Sequence, residues 1–216
     1  MDNKIKIERL KQSGSRFFLT ITGLEKPLSV SEQLVYKFKL KEGIVITGPQ
    51  RDDLQRESAL FECDRETSRL LSLREHSTGE LRFKLKRRQF ASDIIGQMIK
   101  KYTELGFLDD AHYALKLAEQ SLERNPSGRA YLVAFLQKKM LRREEAERAA
   151  DIALAGKEEQ ALAESSLVRR WHLFRHLELE RARQKAYNYL SRRGIGYQAA
   201  KAAFEKLYNQ ETEADD

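Results

Sequence analysis

The chain of 216 residues carries a formal net charge of +7, and 41% of its residues are hydrophobic and 34% charged. This length is enough to bury a core, and the basic excess favours an anionic partner such as a nucleic acid or a nucleoprotein. The single cysteine, Cys63, excludes an intramolecular disulfide, and no secretory segment or long apolar span is visible. We therefore expect a soluble, cytoplasmic protein that does not enter a membrane.

The first fifty residues predict a small β-containing extension. Apolar and charged residues alternate from Lys4 to Leu10, and a second strand-like segment runs from Arg16 to Thr22 after a polar turn. This pattern is typical of a β-hairpin. A third short strand is predicted at 27–30, followed by a helix over 32–38 with Ser31 as its N-cap.

From Asp52 onward the sequence predicts helices only. Gly48 and Pro49 are expected to close the extension before the first of these helices begins near Asp52. Ser77 and Glu80 predict a capping box at the start of the next helix. Further helix starts are indicated by the polar pairs Ser92–Asp93 and Asp109–Asp110.

A short signature recurs three times along this helical part. Each copy begins with a leucine, has a pair of basic residues two and three positions later, and ends with an apolar residue. The copies are Leu85–Phe90, Leu136–Leu141 and Leu190–Ile195. Leu136 follows Leu85 by 51 residues, and Leu190 follows Leu136 by 54. Repetition at such a period is typical of stacked helical units rather than of an enzyme built around one pocket.

We therefore predict a mainly α protein of tandem three-helix repeats in an elongated, curved array. The predicted divisions are the extension at 1–50, repeats at 51–108, 109–157 and 158–210, and an acidic tail at 211–216. The leucines of the repeats are expected to be buried and the basic pairs exposed. These leucines are Leu81, Leu85, Leu132, Leu136 and Leu190.

Residues 74–90 and 106–114 resemble the family of the regulatory protein RecX. The positions that fit the family pattern are Arg74, Ser77, Glu80, Leu81, Lys84, Leu85, Gly106, Asp109 and Asp110. The resemblance implies a modulator of the recombinase RecA, which forms filaments on single-stranded DNA, and a curved stack of repeats that lies in the groove of that filament. It implies a protein that inhibits RecA without an activity or cofactor of its own. The chain departs from the family where Gln89 and Met140 replace a glycine that is common in the turn.

The candidate residues for contact with RecA or single-stranded DNA are basic residues in the signatures and directly beside them. They would form one stripe that meets acidic groups of the filament or DNA phosphates. A repeat array gives no reason to expect a dimer, so a monomer is predicted. The nine candidates are Lys84, Arg87, Arg88, Lys138, Lys139, Arg142, Arg143, Arg192 and Arg193.

Signals for enzymatic chemistry are weak. No phosphate-binding glycine-rich loop is present. His172, His176 and Glu180 have the spacing of one helix face, but we interpret this as coincidence and expect no metal. Trp171, which follows two arginines, could stack on unpaired bases; the favoured interpretation is a core anchor beside Phe174.

Two other functions remain open. A helix-turn-helix DNA-binding regulator would need base-reading side chains at the start of its recognition helix, and the helices that follow the signatures begin with small or acidic residues. A tetratricopeptide scaffold would have a period of about 34 residues, which does not fit. A DNA-binding or transcriptional regulator that acts through the basic surface is the alternative to a RecA modulator.

Overall fold

The computed structural model describes the backbone of residues 5–215 and the side chains of residues 5–212. The strands are β1 (Ile5–Ser13), β2 (Arg16–Ile21), β3 (Leu28–Val30) and β4 (Val45–Ile46). The helices are α1 (Glu32–Lys37), α2 (Gly48–Leu73), α3 (Thr78–Arg87), α4 (Ser92–Glu104), α5 (Asp110–Arg124), α6 (Arg129–Lys138), α7 (Arg143–Leu154), α8 (Glu159–Val168), α9 (Leu179–Arg192) and α10 (Tyr197–Asp215), with a 3-10 helix at Trp171–Leu173. The mainly helical class with a β-containing leader is confirmed.

The leader forms a four-stranded antiparallel sheet in the order β3-β2-β1-β4. The predicted hairpin is β1 and β2, which turn at Gly14, where φ is +60°. Lys4, the first residue of the predicted strand, lies outside the described residues. Strand β4 was not predicted, because two residues are too few to show an alternating pattern.

Helix α2 begins at Gly48, so the predicted start near Asp52 is wrong. Proline is tolerated in the first turn of a helix, because the N–H that it lacks would have no partner there. Thr47 and Gln50 form the capping box: the Thr47 N–H donates to Gln50 Oε1 over 2.8 Å, and the Gln50 N–H donates to Thr47 Oγ1 over 3.3 Å. The helix therefore starts four residues earlier than the acidic pair suggested.

Contacts divide the chain into two units, which we describe separately. The first contains the described residues up to His76 together with Leu81–Leu108. The second contains Ser77–Glu80 and the residues from Asp109 onward. In the first unit the sheet packs on α2, where the Ser58 hydroxyl donates to the Ser29 carbonyl over 2.8 Å.

Each repeat has a core built on the predicted leucines. Leu81, Leu85, Leu132, Leu136 and Leu190 are fully buried, which confirms that part of the prediction. In the second repeat the leucines pack on the alanines of α7, whose small side chains allow the helices to approach closely. In the third repeat the core is completed by Phe174 and Phe204.

Each signature ends its helix with a residue in the left-handed region. The φ angles are +65° at Gln89, +59° at Met140 and +70° at Gly194. The turn that glycine favours therefore forms in all three repeats, even where glycine is absent. The third helix of every repeat begins three residues later, at Ser92, Arg143 and Tyr197.

This turn explains why the predicted cap of α4 is wrong. The N-cap is Ala91, which makes no side-chain hydrogen bond, and Ser92 is already helical. The helix start is fixed by its distance from the left-handed residue rather than by a capping side chain. Asp93 lies in the first turn, where its charge is favourable.

We predict that Gln89→Gly stabilises the protein by about 1 kcal/mol, because Gln89 is exposed and a non-glycine residue in the left-handed region is strained by roughly that amount. Urea denaturation followed by circular dichroism measures the change. Lys86→Gly, at an exposed position inside α3, is the control and should destabilise by about 1 kcal/mol. A destabilised Gln89→Gly variant would contradict the assigned turn.

Two hydrogen bonds occupy equivalent positions in the repeats. One joins the residue before α3 to the end of α6, and the other joins the residue before α6 to the end of α9. The Ser77 hydroxyl donates to the Lys139 carbonyl over 2.7 Å, and the Gly128 N–H donates to the Arg193 carbonyl over 2.9 Å. Ser77 precedes Gly128 by 51 residues, and Lys139 precedes Arg193 by 54, the same spacings as between the signatures. The basic pair therefore supplies the carbonyl through which neighbouring helices are joined.

Asp109 and Asp110 cap two different helices. Asp109 is the N-cap of α5 and accepts from the His112 N–H over 2.9 Å, as predicted. Asp110 instead accepts from the N–H and hydroxyl of Thr78 over 2.8 and 2.6 Å. Because the Glu80 N–H donates to Ser77 Oγ over 3.0 Å, the start of α3 is held by both its own cap and Asp110.

Helix α10 continues through Asp215, so part of the predicted acidic tail is helical. Glu211, the first residue of that tail, accepts a hydrogen bond from Trp171 Nε1. Residue 216 lies outside the described residues.

Candidate partner-binding surface

The second residue of each basic pair has an intramolecular partner. In the first repeat Arg88 Nε lies 3.0 Å from Glu66 Oε1. Glu66 also accepts from Arg69, and this hydrogen bond, aided by the charge of Arg88, lowers the pKa of Glu66 below its usual value. The Glu66 side chain is only 12% exposed, so Arg88 helps to balance a largely buried carboxylate.

In the other two repeats the second basic residue lies over aromatic rings. Lys139 Nζ is 5.6 Å from the centroid of the Phe135 ring. The Arg193 guanidinium lies 5.1 Å from the ring of Tyr131 and 5.5 Å from that of Tyr189, and the residue is half-buried. Such contacts stabilise the fold by about 0.5–1 kcal/mol or more where they are desolvated. Arg193 thus links the second and third repeats as well as carrying charge.

The first residue of each pair is directed to solvent. Arg87, Lys138 and Arg192 are all exposed. Arg87 lies 5.9 Å above the Phe83 ring one turn earlier, and neither Lys138 nor Arg192 has an ion-pair partner among the described residues. These three equivalent cations are therefore best placed to meet an external anion.

The remaining candidates are distributed around the signatures. Lys84 Nζ lies 2.7 Å from Nε2 of the buried His76. Arg142 is the exposed N-cap of α7, and the Arg143 guanidinium donates to Glu147 over 2.7 Å. Lys84 shares one cavity of about 400 Å³ with both arginines of the first signature.

A cationic groove lies beside the third signature. It has a volume of about 550 Å³, and its lining includes Arg170, Lys185 and Arg192. The Arg170 guanidinium is 5.2 Å from the centroid of the Tyr189 ring, which also lines the groove, so a cation and an aromatic ring lie side by side there. Sequence reasoning missed Lys185, because it lies seven residues before the basic pair and belongs to no repeated motif.

The second repeat has a smaller groove of the same character. Its volume is about 300 Å³, and its lining includes Arg124, Lys139, Tyr131 and Phe135. Arg124 was also missed, because it ends the first helix of the repeat, far in sequence from the signature. Both grooves offer positive charge beside aromatic surface, which suits phosphate or carboxylate groups of a partner.

The arginine-tryptophan cluster at 169–171 is largely structural. The Arg169 guanidinium donates to the carbonyls of Glu123 and Arg124 over 2.9 and 2.6 Å and so caps the end of α5. Trp171 is half-buried against the core of the third repeat, in agreement with the favoured interpretation. The Trp171 ring lies 6.4 Å from that of Phe174 and 5.6 Å from that of Phe204, so its ring contacts are with the core.

The two histidines with metal-like spacing in the sequence do not lie in one helix with Glu180. His172 lies in the 3-10 helix and His176 in the following turn, so the predicted common helix face with Glu180 does not exist. Within the described residues, no three His, Cys, Asp or Glu side chains are grouped closely enough to hold a metal ion.

Cys63 is buried, and burial raises the pKa of its thiol to about 11. None of the helices that the structure describes is long and apolar enough to span a membrane.

Comparison with known proteins identifies relatives along most of the chain. The family model for the first three-helix domain of RecX matches residues 68–101. Regulatory protein RecX of Pelodictyon phaeoclathratiforme is 30% identical over 139 residues, which cover 64% of this chain and 84% of the relative. Regulatory protein RecX of Chlorobaculum tepidum is 26% identical over 148 residues, or 68% of this chain and 89% of the relative.

Solved structures share the fold. A crystal structure of regulatory protein RecX aligns with 93% of this chain and 99% of its own length, with a TM-score of 0.67 and 18% identity. The structure of RecX from Lactobacillus salivarius aligns with 69% of this chain and 96% of its own length, with a TM-score of 0.56 and 21% identity. These structures show the shared fold, and the relative that is 30% identical and covered over 84% of its length places the chain in the RecX family of regulatory proteins.

Proposed function

We propose that this protein binds the RecA filament on single-stranded DNA and inhibits the recombinase and ATPase activities of RecA. Its membership of the RecX family is the observation that carries the proposal. A regulator of a helical polymer gains from several weak contacts, because each contact raises the effective concentration of the next. The protein would act in the cytoplasm as a monomer, without catalysis of its own.

The contacts are assigned first to the exposed cation of each signature, Arg87, Lys138 and Arg192. Acidic groups of RecA or DNA phosphates are the expected counterparts. Arg88 and Arg193 contribute less, because intramolecular partners already hold their guanidinium groups. Binding should weaken as salt rises, since exposed charges are screened over about 8 Å at physiological ionic strength.

We predict that the triple variant Arg87→Ala, Lys138→Ala, Arg192→Ala loses inhibitory potency roughly tenfold. Three exposed contacts of about 0.5 kcal/mol each correspond to that change in affinity. The measurement is the single-stranded-DNA-dependent ATP hydrolysis of RecA at increasing concentrations of this protein. Circular dichroism should show that the variant remains folded.

A matched control removes the same charge from the third helices. Lys100, Arg148 and Lys201 are exposed, one in each repeat, and replacing all three by alanine should leave the inhibition unchanged. Equal loss in both variants would show that only net charge matters. If the parent protein at large excess leaves RecA hydrolysis unaltered, the proposed function itself is wrong.

A further inference from the structure

The leader sheet has one buried face and one cationic face. Its buried face is formed by Ile7, Leu19 and Ile21, which enter the core. On the opposite face, Lys11 pairs across the strands with Phe18, and Arg9 pairs with Thr20. Side chains that are directly opposite in an antiparallel pair lie about 5 Å apart, so each cation stands beside its partner on β2.

Phe18 is the aromatic member of this outer face. It is half-buried and does not belong to the core of the leader, whereas its neighbour Phe17 packs against that core. The Arg16 guanidinium lies 5.4 Å from the centroid of the Phe18 ring. Phe18 therefore lies on the outer face of the sheet, beside Arg16, across from Lys11 on β1 and next to the buried Ser29 of β3.

The cations around Phe18 have few internal partners. Arg9 and Lys11 are exposed, and neither makes an ion pair among the described residues. Glu8, at the bulge of β1, is the one carboxylate in the β-hairpin, which also contains Lys6 and Arg16. Glu42 is engaged by the Leu10 N–H, which donates to its Oε1 over 2.9 Å, so neither Arg9 nor Lys11 is paired with a carboxylate among the described residues.

We propose that the outer face of the leader sheet binds single-stranded nucleic acid. Phe18 would stack on an unpaired base while Arg9, Lys11 and Arg16 contact phosphates. A sheet that presents an aromatic ring among cations suits this ligand, because each base offers a flat face and its backbone a nearby negative charge. An acidic protein segment would use the charges but gain little from the ring.

The first test measures the binding of the full chain to a labelled oligothymidylate by fluorescence anisotropy, without RecA. Phe18→Leu should weaken binding about tenfold, since stacking on an aromatic side chain contributes roughly 1–3 kcal/mol per base. Tyr36→Leu is the control: Tyr36 is 72% exposed on α1 of the same leader, and its loss should leave the affinity unchanged. Unaltered affinity of a folded Phe18→Leu variant would overturn the proposal.

The second test separates phosphate contacts from stacking. Arg9→Gln with Lys11→Gln should flatten the slope of log affinity against log salt by about 1.4, because each lost phosphate contact removes roughly 0.7 on single strands. Lys26→Gln with Lys41→Gln, two exposed lysines elsewhere in the leader, should keep the parent slope. If the slope of the Arg9 and Lys11 variant equals that of the parent, the phosphate assignment is wrong.

The same variants distinguish this site from the proposed action on RecA. Loss of oligonucleotide binding with RecA inhibition retained supports a nucleic-acid site that is separate from the signature cations. If the variants bind DNA like the parent but no longer inhibit RecA, the sheet face contacts protein, and the proposal of a nucleic-acid site fails. A parent chain that does not inhibit RecA leaves the binding test intact, since that assay contains no RecA.

Discussion

Gly128→Ala is expected to lower the free energy of unfolding by about 3 kcal/mol. A Cβ atom at Gly128 would lie 1.9 Å from the Gly194 carbonyl oxygen and 2.7 Å from its carbon, so the two backbones would have to separate. Overpacking of this kind costs about 1–3 kcal/mol, and the hydrogen bond to Arg193 contributes about 1 kcal/mol more. Urea denaturation followed by the fluorescence of Trp171, the sole tryptophan, reports the loss from within the third repeat.

The control for this substitution is Gly96→Ala. Gly96 lies inside α4, and a Cβ atom there meets nothing within 4 Å. Alanine is the better helix former, so this variant should gain about 0.5–1 kcal/mol. Should Gly128→Ala prove as stable as the parent, the close approach between the second and third repeats would be wrong.

The repeated fold could be predicted because its period is visible in the residues that the fold buries. Leu85, Leu136 and Leu190 are fully buried, and each is followed by the same turn. Gln89 and Met140 show the limit of the residue pattern. They lack the freedom of glycine, yet both adopt the left-handed conformation, with φ of +65° and +59°.

The candidate site was only partly predictable, because charge alone does not show which cations are already paired. Nothing in the local sequence distinguishes the role of Arg87 from that of Arg88. In the folded chain, Arg88 forms an ion pair with Glu66, which lies 22 residues earlier in the sequence. Arg193 is likewise engaged by a residue distant in sequence, because its guanidinium lies over the ring of Tyr131, 62 residues earlier. Only tertiary contacts supply such partners, so no local pattern could reveal them.

Leu85→Ala is expected to destabilise the first unit by about 2–5 kcal/mol. Leu85 is fully buried in a core with Leu81, Ile95 and Met98, and removal of its side chain exchanges packing contacts for a cavity. Urea denaturation followed by circular dichroism measures the change. The conservative Leu85→Met should cost less than about 1.5 kcal/mol, because it nearly keeps the volume.

Phe83→Ala provides the comparison on the same helix. Phe83 is 46% exposed, so its replacement should cost clearly less than that of Leu85 although the side chain is larger. The ranking tests which face of α3 is turned inward, and with it the outward placement of Arg87. A larger loss for Phe83→Ala than for Leu85→Ala would reverse that assignment and remove the basis for treating Arg87 as a contact residue.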